Sequence, residues 1–196
     1  ADRVLGRDAF RAEIVWTPGN GARRRDAPPV THQTILVYAP GKMLYNADDP
    51  WLREAYAATS LAMHFQQVDA EGRRYRERTV AGKTYRYYAD QGRRLGSVWT
   101  DCPAMRANTP LIAETTGYPT QKPERLLERI VRAATLPNSR VLDPMCGSGT
   151  TLAVAARLGR RWAGIDLGED ACRIAAARLT AAPPEGVRGP HRGATR

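Results

Sequence analysis

Arg140-Val141-Leu142-Asp143-Pro144-Met145-Cys146-Gly147-Ser148-Gly149-Thr150 is the stretch that decides the fold of this chain. Val141-Leu142-Asp143 is a short buried strand. Residues 144–149 are a glycine turn, where backbone without side chains lets a ligand come close. Thr150–Leu158 follows as a helix of small residues ended by Gly159, and Trp162–Asp166 is a second strand that finishes on a carboxylate. Residues 140–166 therefore make a strand–turn–helix–strand unit of about the size used for nucleotide recognition. Asp166 stands where a carboxylate accepts two hydrogen bonds from a ribose diol.

Three ligands compete for such a turn. A dinucleotide site asks for G-x-G-x-x-G, and the third position here is Leu152. A phosphate-cradling loop asks for a lysine in the turn, and there is none. S-adenosylmethionine remains: its ammonium group suits Asp143, which would repel a pyrophosphate. A plain tight turn in an α/β protein is the bland alternative, and Asp143 together with Asp166 favours the cofactor.

Outward from this unit the texture is uneven. Pro123–Ala134 is predicted as a helix with Pro in its first turn and Leu126, Leu127, Ile130 and Val131 at helical spacing. Glu169–Leu179 is predicted as another helix. Toward the amino end, residues 1–12 read as a helix end and a connection. Glu13–Trp16 and Thr34–Tyr38 read as strands, with a Gly-, Pro- and Arg-rich loop at 17–33. Residues 50–68 are expected to be helical, with Leu52, Ala55, Tyr56, Leu61 and Phe65 as apolar contacts. Residues 71–100 are basic, aromatic and alternating, which fits two short strands around Ala81-Gly82 with little apolar material for a core of their own. Residues 101–118 read as a Pro-containing loop, and the Pro-, Gly- and Arg-rich tail from Ala181 to Arg196 as disordered.

The bulk numbers agree with a cofactor-binding domain that meets a polyanion. A chain of 196 residues suits one domain with an inserted subdomain. Its net charge of +10 favours nucleic acid, against the alternative of a solvated arginine-rich surface. No run of eighteen apolar residues is long enough to span a membrane, and no secretory signal opens the chain. Cys102, Cys146 and Cys172 form no C-x-x-C pair, which argues against a disulfide framework or a zinc site and for a reducing cytosol. Cys146 and Cys172 are expected as small core residues. The start at Ala1 rather than Met hints at a fragment or a processed product.

Three motifs carry a resemblance to a known family. Asp143–Thr151 resembles the D-P-F-C-G-S-G-T-T cofactor motif of DNA amino-methyltransferases, with Met145 where Phe is usual. Gly117-Tyr118-Pro119-Thr120-Gln121-Lys122-Pro123 followed by Leu126-Leu127 resembles their G-Y-P-T-Q-K-P-x-x-L-L element. Trp162–Asp166 resembles their second cofactor motif. The T-Q-K-P element precedes the glycine turn, the permuted order of the β class, which methylates adenine N6 or cytosine N4. Phe10–Trp16 and His32–Tyr38 resemble strands six and seven of that family, and the block at 71–101 its insertion near the target-recognition part.

The resemblance implies a Rossmann-like S-adenosylmethionine-dependent methyltransferase fold of the α/β class, with an incomplete sheet and a small basic β-rich insertion. Residues 1–48 would supply strands six and seven, 49–116 the helical and basic β insertion, 117–181 the cofactor-binding part and 182–196 a tail. The strands between the glycine-turn strand and strands six and seven are missing, so the isolated chain is expected to be unstable. The family's catalytic tetrapeptide, [DNS]-P-P-[YFW], is absent. Asp48-Asp49-Pro50-Trp51 approaches it but has Asp where the first Pro belongs, and reads as a helix start; Asp26-Ala27-Pro28-Pro29-Val30 lacks the aromatic.

No catalytic residue and no metal ligand is therefore assigned. Cofactor contacts are expected from Thr120, Gln121, Lys122, Pro123, Asp143, Pro144, Met145, Cys146, Gly147, Ser148, Gly149, Thr150 and Asp166. Thr120 can equally cap the following helix, and Ser148, Thr150 and Thr151 can cap theirs. Phosphate contacts with double-stranded DNA are expected from Arg73, Arg74, Arg76, Arg86, Arg93 and Arg94, and from the loop at Arg23-Arg24-Arg25, with solvated charge as the alternative for each. Tyr85, Tyr87 and Tyr88 have rings that could stack on nucleic acid, but they are expected to pack the insertion. A homodimer and a restriction subunit are compatible partners, in a bacterial or phage-type cytoplasm.

Overall fold

The computed structural model describes residues 1–19, 25–105 and 113–181. The expected tail at 182–196, Arg23 and Arg24, and part of the 101–118 loop lie outside the described residues. The chain divides into two compact units, Ala1–Asn46 with Gly96 onward, and Ala47–Leu95.

In the first unit a short helix α1 (Asp2–Leu5) leads into β1 (Phe10–Trp16), which pairs antiparallel with β2 (Gln33–Tyr38). Returning to this unit after residue 95, the chain forms the short strand β8 (Val98–Trp99), parallel to β1. The strand expected at Glu13–Trp16 thus begins three residues earlier, at the position the family resemblance implied. Trp16 ends β1 buried, its indole N–H donating to the Cys102 carbonyl at 2.6 Å. The second sheet of this unit is the predicted βαβ unit: β9 (Arg140–Asp143), α4 (Thr150–Arg157) and β10 (Arg161–Gly164), the two strands parallel and in register Leu142 to Ala163. Strand β9 is not the buried strand expected, since Leu142 is on the face that α4 does not cover and is exposed. The helices α3 (Glu124–Ala134) and α5 (Glu169–Ala181) complete it.

Side-chain size dictates the packing here. Helix α4 buries Leu152, Ala153, Val154 and Ala155, and α5 meets it through Ala171 and Ala175. Small residues let these helices approach closely. At Gly164 in β10 a Cβ would stand 2.4 Å from Leu152 Cδ1 and 3.1 Å from Cys146 Sγ, so the strand lies on the helix with no space for a side chain. Cys146 is buried there as expected. Cys172 is exposed, contrary to expectation, because it lines an open cleft between α5 and β10, with its thiol 3.7 Å from the Asp166 carbonyl.

The two sheets of this unit are joined through charged groups on α3. Toward β8, Arg129 is buried and donates to both carboxylate oxygens of Asp101 at 2.8 and 2.6 Å, with its guanidinium 5.0 Å from the Trp99 ring centroid. Arg125 adds a bond to Asp101 at 2.8 Å. Toward the other sheet, Glu124 pairs with Arg157 of α4 and Arg178 of α5, and Glu128 with Arg157 at 2.8 Å. Asn46 donates to the Arg132 and Thr135 carbonyls at 2.7 and 2.9 Å, closing the carboxyl end of α3. The amphipathic pattern of 123–134 marked the apolar face correctly but gave no sign that Glu128 and Arg129 are buried too.

In the second unit, the helix expected over 50–68 is broken. Pro50–Leu52 is a single 3-10 turn, begun by Asp49, whose carboxylate accepts from Trp51 N–H at 2.8 Å. It leads into β3 (Arg53–Glu54), then α2 (Ala58–His64) and β4 (Gln67–Val68). Cross-strand pairing overrides helix propensity, because Arg53 and Glu54 pair antiparallel with Arg94 and Arg93 of β7 (Arg93–Arg94). Leu52 and Phe65, two of the expected contacts, are fully buried. Between α2 and β7 runs the predicted hairpin: β5 (Arg74–Val80) and β6 (Lys83–Tyr88), turned by Ala81 at φ 49° and Gly82 at φ 74°. Two consecutive positive-φ residues are the geometry of a tight two-residue hairpin loop. Among the described residues no helix is long and apolar enough to cross a membrane.

Candidate functional site

The glycine turn lies where β9 meets α4, and both acids picked out in the sequence hold it. Asp143 Oδ1 accepts from the Met145 N–H at 3.2 Å, turning the chain away from the strand. Asp166, just after β10, accepts from Gly147 N–H at 2.8 Å through one oxygen and from Gly168 N–H at 2.9 Å through the other. These backbone donors hold its carboxyl below the usual carboxylate range, so it stays an anion. The turn also joins the strand end by main chain, with Cys146 N–H donating to the Ile165 carbonyl at 2.9 Å.

The second wall is the Thr120–Pro123 segment. Pro123 is fully buried and occupies the N-cap position of α3. Thr120 makes no cap; the Glu124 N–H is taken instead by the carboxylate of Glu114 at 3.0 Å. Burial raises the Glu114 pKa. Gln121 turns back on its own loop, accepting from Thr116 Oγ1 at 2.8 Å and donating to the Glu114 carbonyl at 2.6 Å. Lys122 is exposed with its ammonium 3.5 Å from the Thr120 carbonyl. Met145 is 83% exposed, so its side chain is offered outward from the turn.

One hydroxyl ties the two walls together. Thr150 Oγ1 donates to the Lys122 carbonyl at 3.2 Å and accepts from Arg178 Nη1 at 3.0 Å. The same guanidinium donates to Glu124 at 2.6 Å. Ser148 Oγ is 3.4 Å from Thr150 Oγ1 and is buried with it. Tyr118 covers the turn from above: a Cβ on Gly147 would lie 3.1 Å from its Cε1. Glu114, Tyr118 and Arg178 were not read as site residues from the sequence. Tyr118 stands within the quoted G-Y-P-T-Q-K-P element, whereas Arg178 is an ordinary helical arginine whose partners only the fold reveals. Thr150→Val is expected to lower the unfolding free energy by about 1–2 kcal/mol, the loss of a buried hydroxyl with two partners, measured by urea denaturation.

A cleft of about 510 Å³ opens on the helix side of β10, lined by Cys146, Leu152, Trp162, Leu179 and neighbouring residues. Of the expected cofactor residues it touches Cys146 alone, and it is largely apolar. Among the described residues no cluster of three or more His, Cys, Asp or Glu is placed to hold a metal ion.

Residues 1–177 match the DNA methylase family model of N6/N4 type. The chain belongs to the N6/N4 DNA methylase family. It is similar to the type II methyltransferase M2.DpnII of Streptococcus pneumoniae, 45% identical over 93 residues, which is 47% of this chain and 33% of that protein. It is also 44% identical over 87 residues to the DNA adenine methyltransferase YhdJ of Escherichia coli, covering 44% of this chain and 28% of YhdJ. These matches span about a third of the length of the curated relatives. Among solved structures, the cytosine-N4-specific PvuII DNA methyltransferase shares the fold at TM-score 0.55 and 15% identity, over 91% of this chain and 53% of that one. The M1.HpyAVI–SAM complex does so at TM-score 0.50 and 22% identity, over 87% of this chain and 62% of that one. The mixed α/β fold with partial sheets is thus the methyltransferase fold that the motifs implied.

The expected DNA-contacting arginines of this family member are largely engaged within the second unit. Arg73 pairs with Asp90 at 3.0 Å, Arg86 with Glu77 at 3.0 Å, Arg93 with Glu54 at 3.0 Å and Arg94 with Asp48 at 3.5 Å. Arg74 donates to the Phe65 and Leu61 carbonyls at the end of α2, and Arg76 lies against Tyr56, Phe65 and Tyr87. Of the three tyrosines expected to pack the hairpin, Tyr88 meets Tyr75 at 6.0 Å between ring centroids and Tyr87 lies under Arg76, whereas Tyr85 is exposed.

Proposed function

We propose that this chain is the S-adenosylmethionine-binding part of a DNA methyltransferase that transfers a methyl group to the exocyclic amine of adenine or cytosine. The observation that carries this is the fixed carboxylate of Asp166, held by Gly147 and Gly168 beside a bare-backbone turn. Its remaining lone pairs accept the two ribose hydroxyls. The turn from Asp143 to Thr150, with the positive end of α4, takes the methionine carboxylate and ammonium groups. Thr120, Gln121, Lys122 and Pro123 border the same ligand, and residues 49–116 serve target recognition on double-stranded DNA.

A cofactor held here would supply the methyl group, and the amine of a flipped base would still have to be oriented by the tetrapeptide that these 196 residues lack. Positioning supplies much of the rate in such a direct displacement, so this chain by itself has little or no transfer activity. The tetrapeptide comes either from further residues of the same polypeptide or from a separate chain that this module serves. An in-frame D-P-P-Y-type motif in the coding DNA upstream favours the first.

Calorimetry with S-adenosylhomocysteine tests the site. The folded chain is expected to bind, and Asp166→Ala to weaken binding roughly 150-fold, the value of two hydrogen bonds to a charged acceptor at about 1.5 kcal/mol each. No heat with folded wild-type protein, or equal affinity of the variant, contradicts the assignment.

A further inference from the structure

Sorting the cations of the Ala47–Leu95 unit by their partners separates two populations. This segment contains nine Lys and Arg against seven Asp and Glu. Asp48 takes both Arg53 and Arg94, while Glu54, Asp90 and Glu77 take Arg93, Arg73 and Arg86. Arg74, Arg76, Arg78 and Lys83 remain without a carboxylate among the described residues.

The register of the hairpin places all four on one face. Side chains alternate along a strand, so 74, 76 and 78 share a face, and cross-strand partners share it too. Arg76 is opposite Tyr87, Arg78 opposite Tyr85, and Val80 opposite Lys83. The opposite face carries Tyr75 with Tyr88, Glu77 with Arg86 and Thr79 with Thr84, whose hydroxyls are 3.0 Å apart. One side of the ribbon is therefore charge-compensated and the other is cationic.

Position along the cationic face divides it again. At its base Arg74 is committed to the carboxyl end of α2, with bonds of 3.0 and 3.1 Å to the Phe65 and Leu61 carbonyls. Arg76 is half-buried among rings, where its stem and plane serve packing. At the tip Arg78, Lys83 and Tyr85 are all exposed, with Lys83 Nζ 5.4 Å from the Tyr85 ring centroid. Arg78 makes no ion pair among the described residues.

We propose that the tip of this cationic face, Arg78 and Lys83 flanking Tyr85, is the surface that takes the DNA phosphate backbone, and that Arg73, Arg86, Arg93 and Arg94 are internal counter-charges of the insertion. This rests on the DNA-directed function proposed above and changes which residues serve it. A cation already bonded to a carboxylate must give up that partner to meet a phosphate and so gains little. An unpaired cation contributes fully through the release of condensed counterions. The exposed tyrosine ring between them offers a flat face to sugar or an unstacked base. Charge complementarity is what selects nucleic acid as the occupant.

Fluorescence anisotropy of the full chain with a labelled duplex, titrated between low and moderate salt, tests this. Each phosphate contact contributes about 0.9 to the slope of log affinity against log salt. Arg78→Ala/Lys83→Ala is expected to reduce the slope by about 2 and to weaken binding on the order of tenfold near ~0.1 M salt. Arg73→Ala and Arg93→Ala are expected to change the slope by less than about 0.5. The charge-conserving pair Arg78→Lys/Lys83→Arg restores the wild-type slope, which unfolding of the hairpin would not allow. If wild type binds duplex and the double alanine variant keeps the full slope, the hairpin assignment is overturned while the DNA-directed function stands. If wild type does not bind duplex at all, both are overturned. If the double variant loses binding to anionic phosphatidylserine vesicles but not to duplex, the face is a lipid surface and the proposal fails.

Discussion

Gly149→Ala is expected to lower the unfolding free energy by about 3 kcal/mol, the sum of a left-handed backbone penalty of ~1 kcal/mol and an overpacking cost of ~2 kcal/mol. The backbone there has φ 73°, and a Cβ would stand 2.7 Å from Ala175 Cβ and 3.0 Å from its Cα. The neighbour is the wall of α5, so relief requires the helix to move. Because α5 carries Arg178, the same shift would pull on Thr150 and slacken the T-Q-K-P wall. Urea denaturation reads the loss, and Ala175→Gly in the same chain separates its parts. It should return the overlap portion, about 2 kcal/mol, and leave the backbone portion. A variant as stable as wild type would show that α4 and α5 are not in contact at this point.

The second large effect is expected at Asp101. Its carboxylate receives Arg129, buried to 3% exposure, and Arg125. Asp101→Ala removes the bidentate carboxylate partner of a buried guanidinium, at a cost of about 3 kcal/mol, the lower end of the range for such losses because the carboxylate side is half-exposed. Hydrogen bonds from Arg129 hold the Asp101 carboxyl well below the usual carboxylate range. Its contribution is therefore complete above the unfolded value of about 3.9 and is lost as pH falls toward the depressed folded value. Wild-type stability should decline on acidification below about pH 4 more steeply than that of Asp101→Ala, which has no such proton to take up. Parallel acid curves for the two proteins would contradict the role assigned to this pair.

The βαβ unit at 140–166 was legible because each of its signals is local. A strand of three apolar or acidic residues, glycines at the bend, small helix residues and a terminal acid are all set by their immediate neighbours. Gly149 and Gly164 are required by what packs on them, yet the sequence marks them anyway, since a glycine is visible whatever its reason. Residues 50–68 misled for the opposite cause. Leu52 and Phe65 are core residues, but Arg53 and Glu54 are recruited by Arg93 and Arg94 some forty residues onward, a pairing that no local pattern encodes. The candidate site divides along the same line. Asp143, Asp166 and the turn were named from sequence, whereas Arg178 and Glu114 reach the site through distant side-chain bonds. The basic block was recognised as a block, but the cancellation of Arg73, Arg86, Arg93 and Arg94 by Asp and Glu depends on strand register.

The most direct measurement is a crystal structure of the chain with S-adenosylhomocysteine. The ribose hydroxyls are expected within hydrogen-bonding distance of the Asp166 carboxylate, with the amino-acid end of the ligand over the Gly147–Thr150 turn and beside Thr120–Pro123. A ligand found instead in the apolar cleft between β10 and α5, with Asp166 still bonded only to its own backbone, would contradict the account.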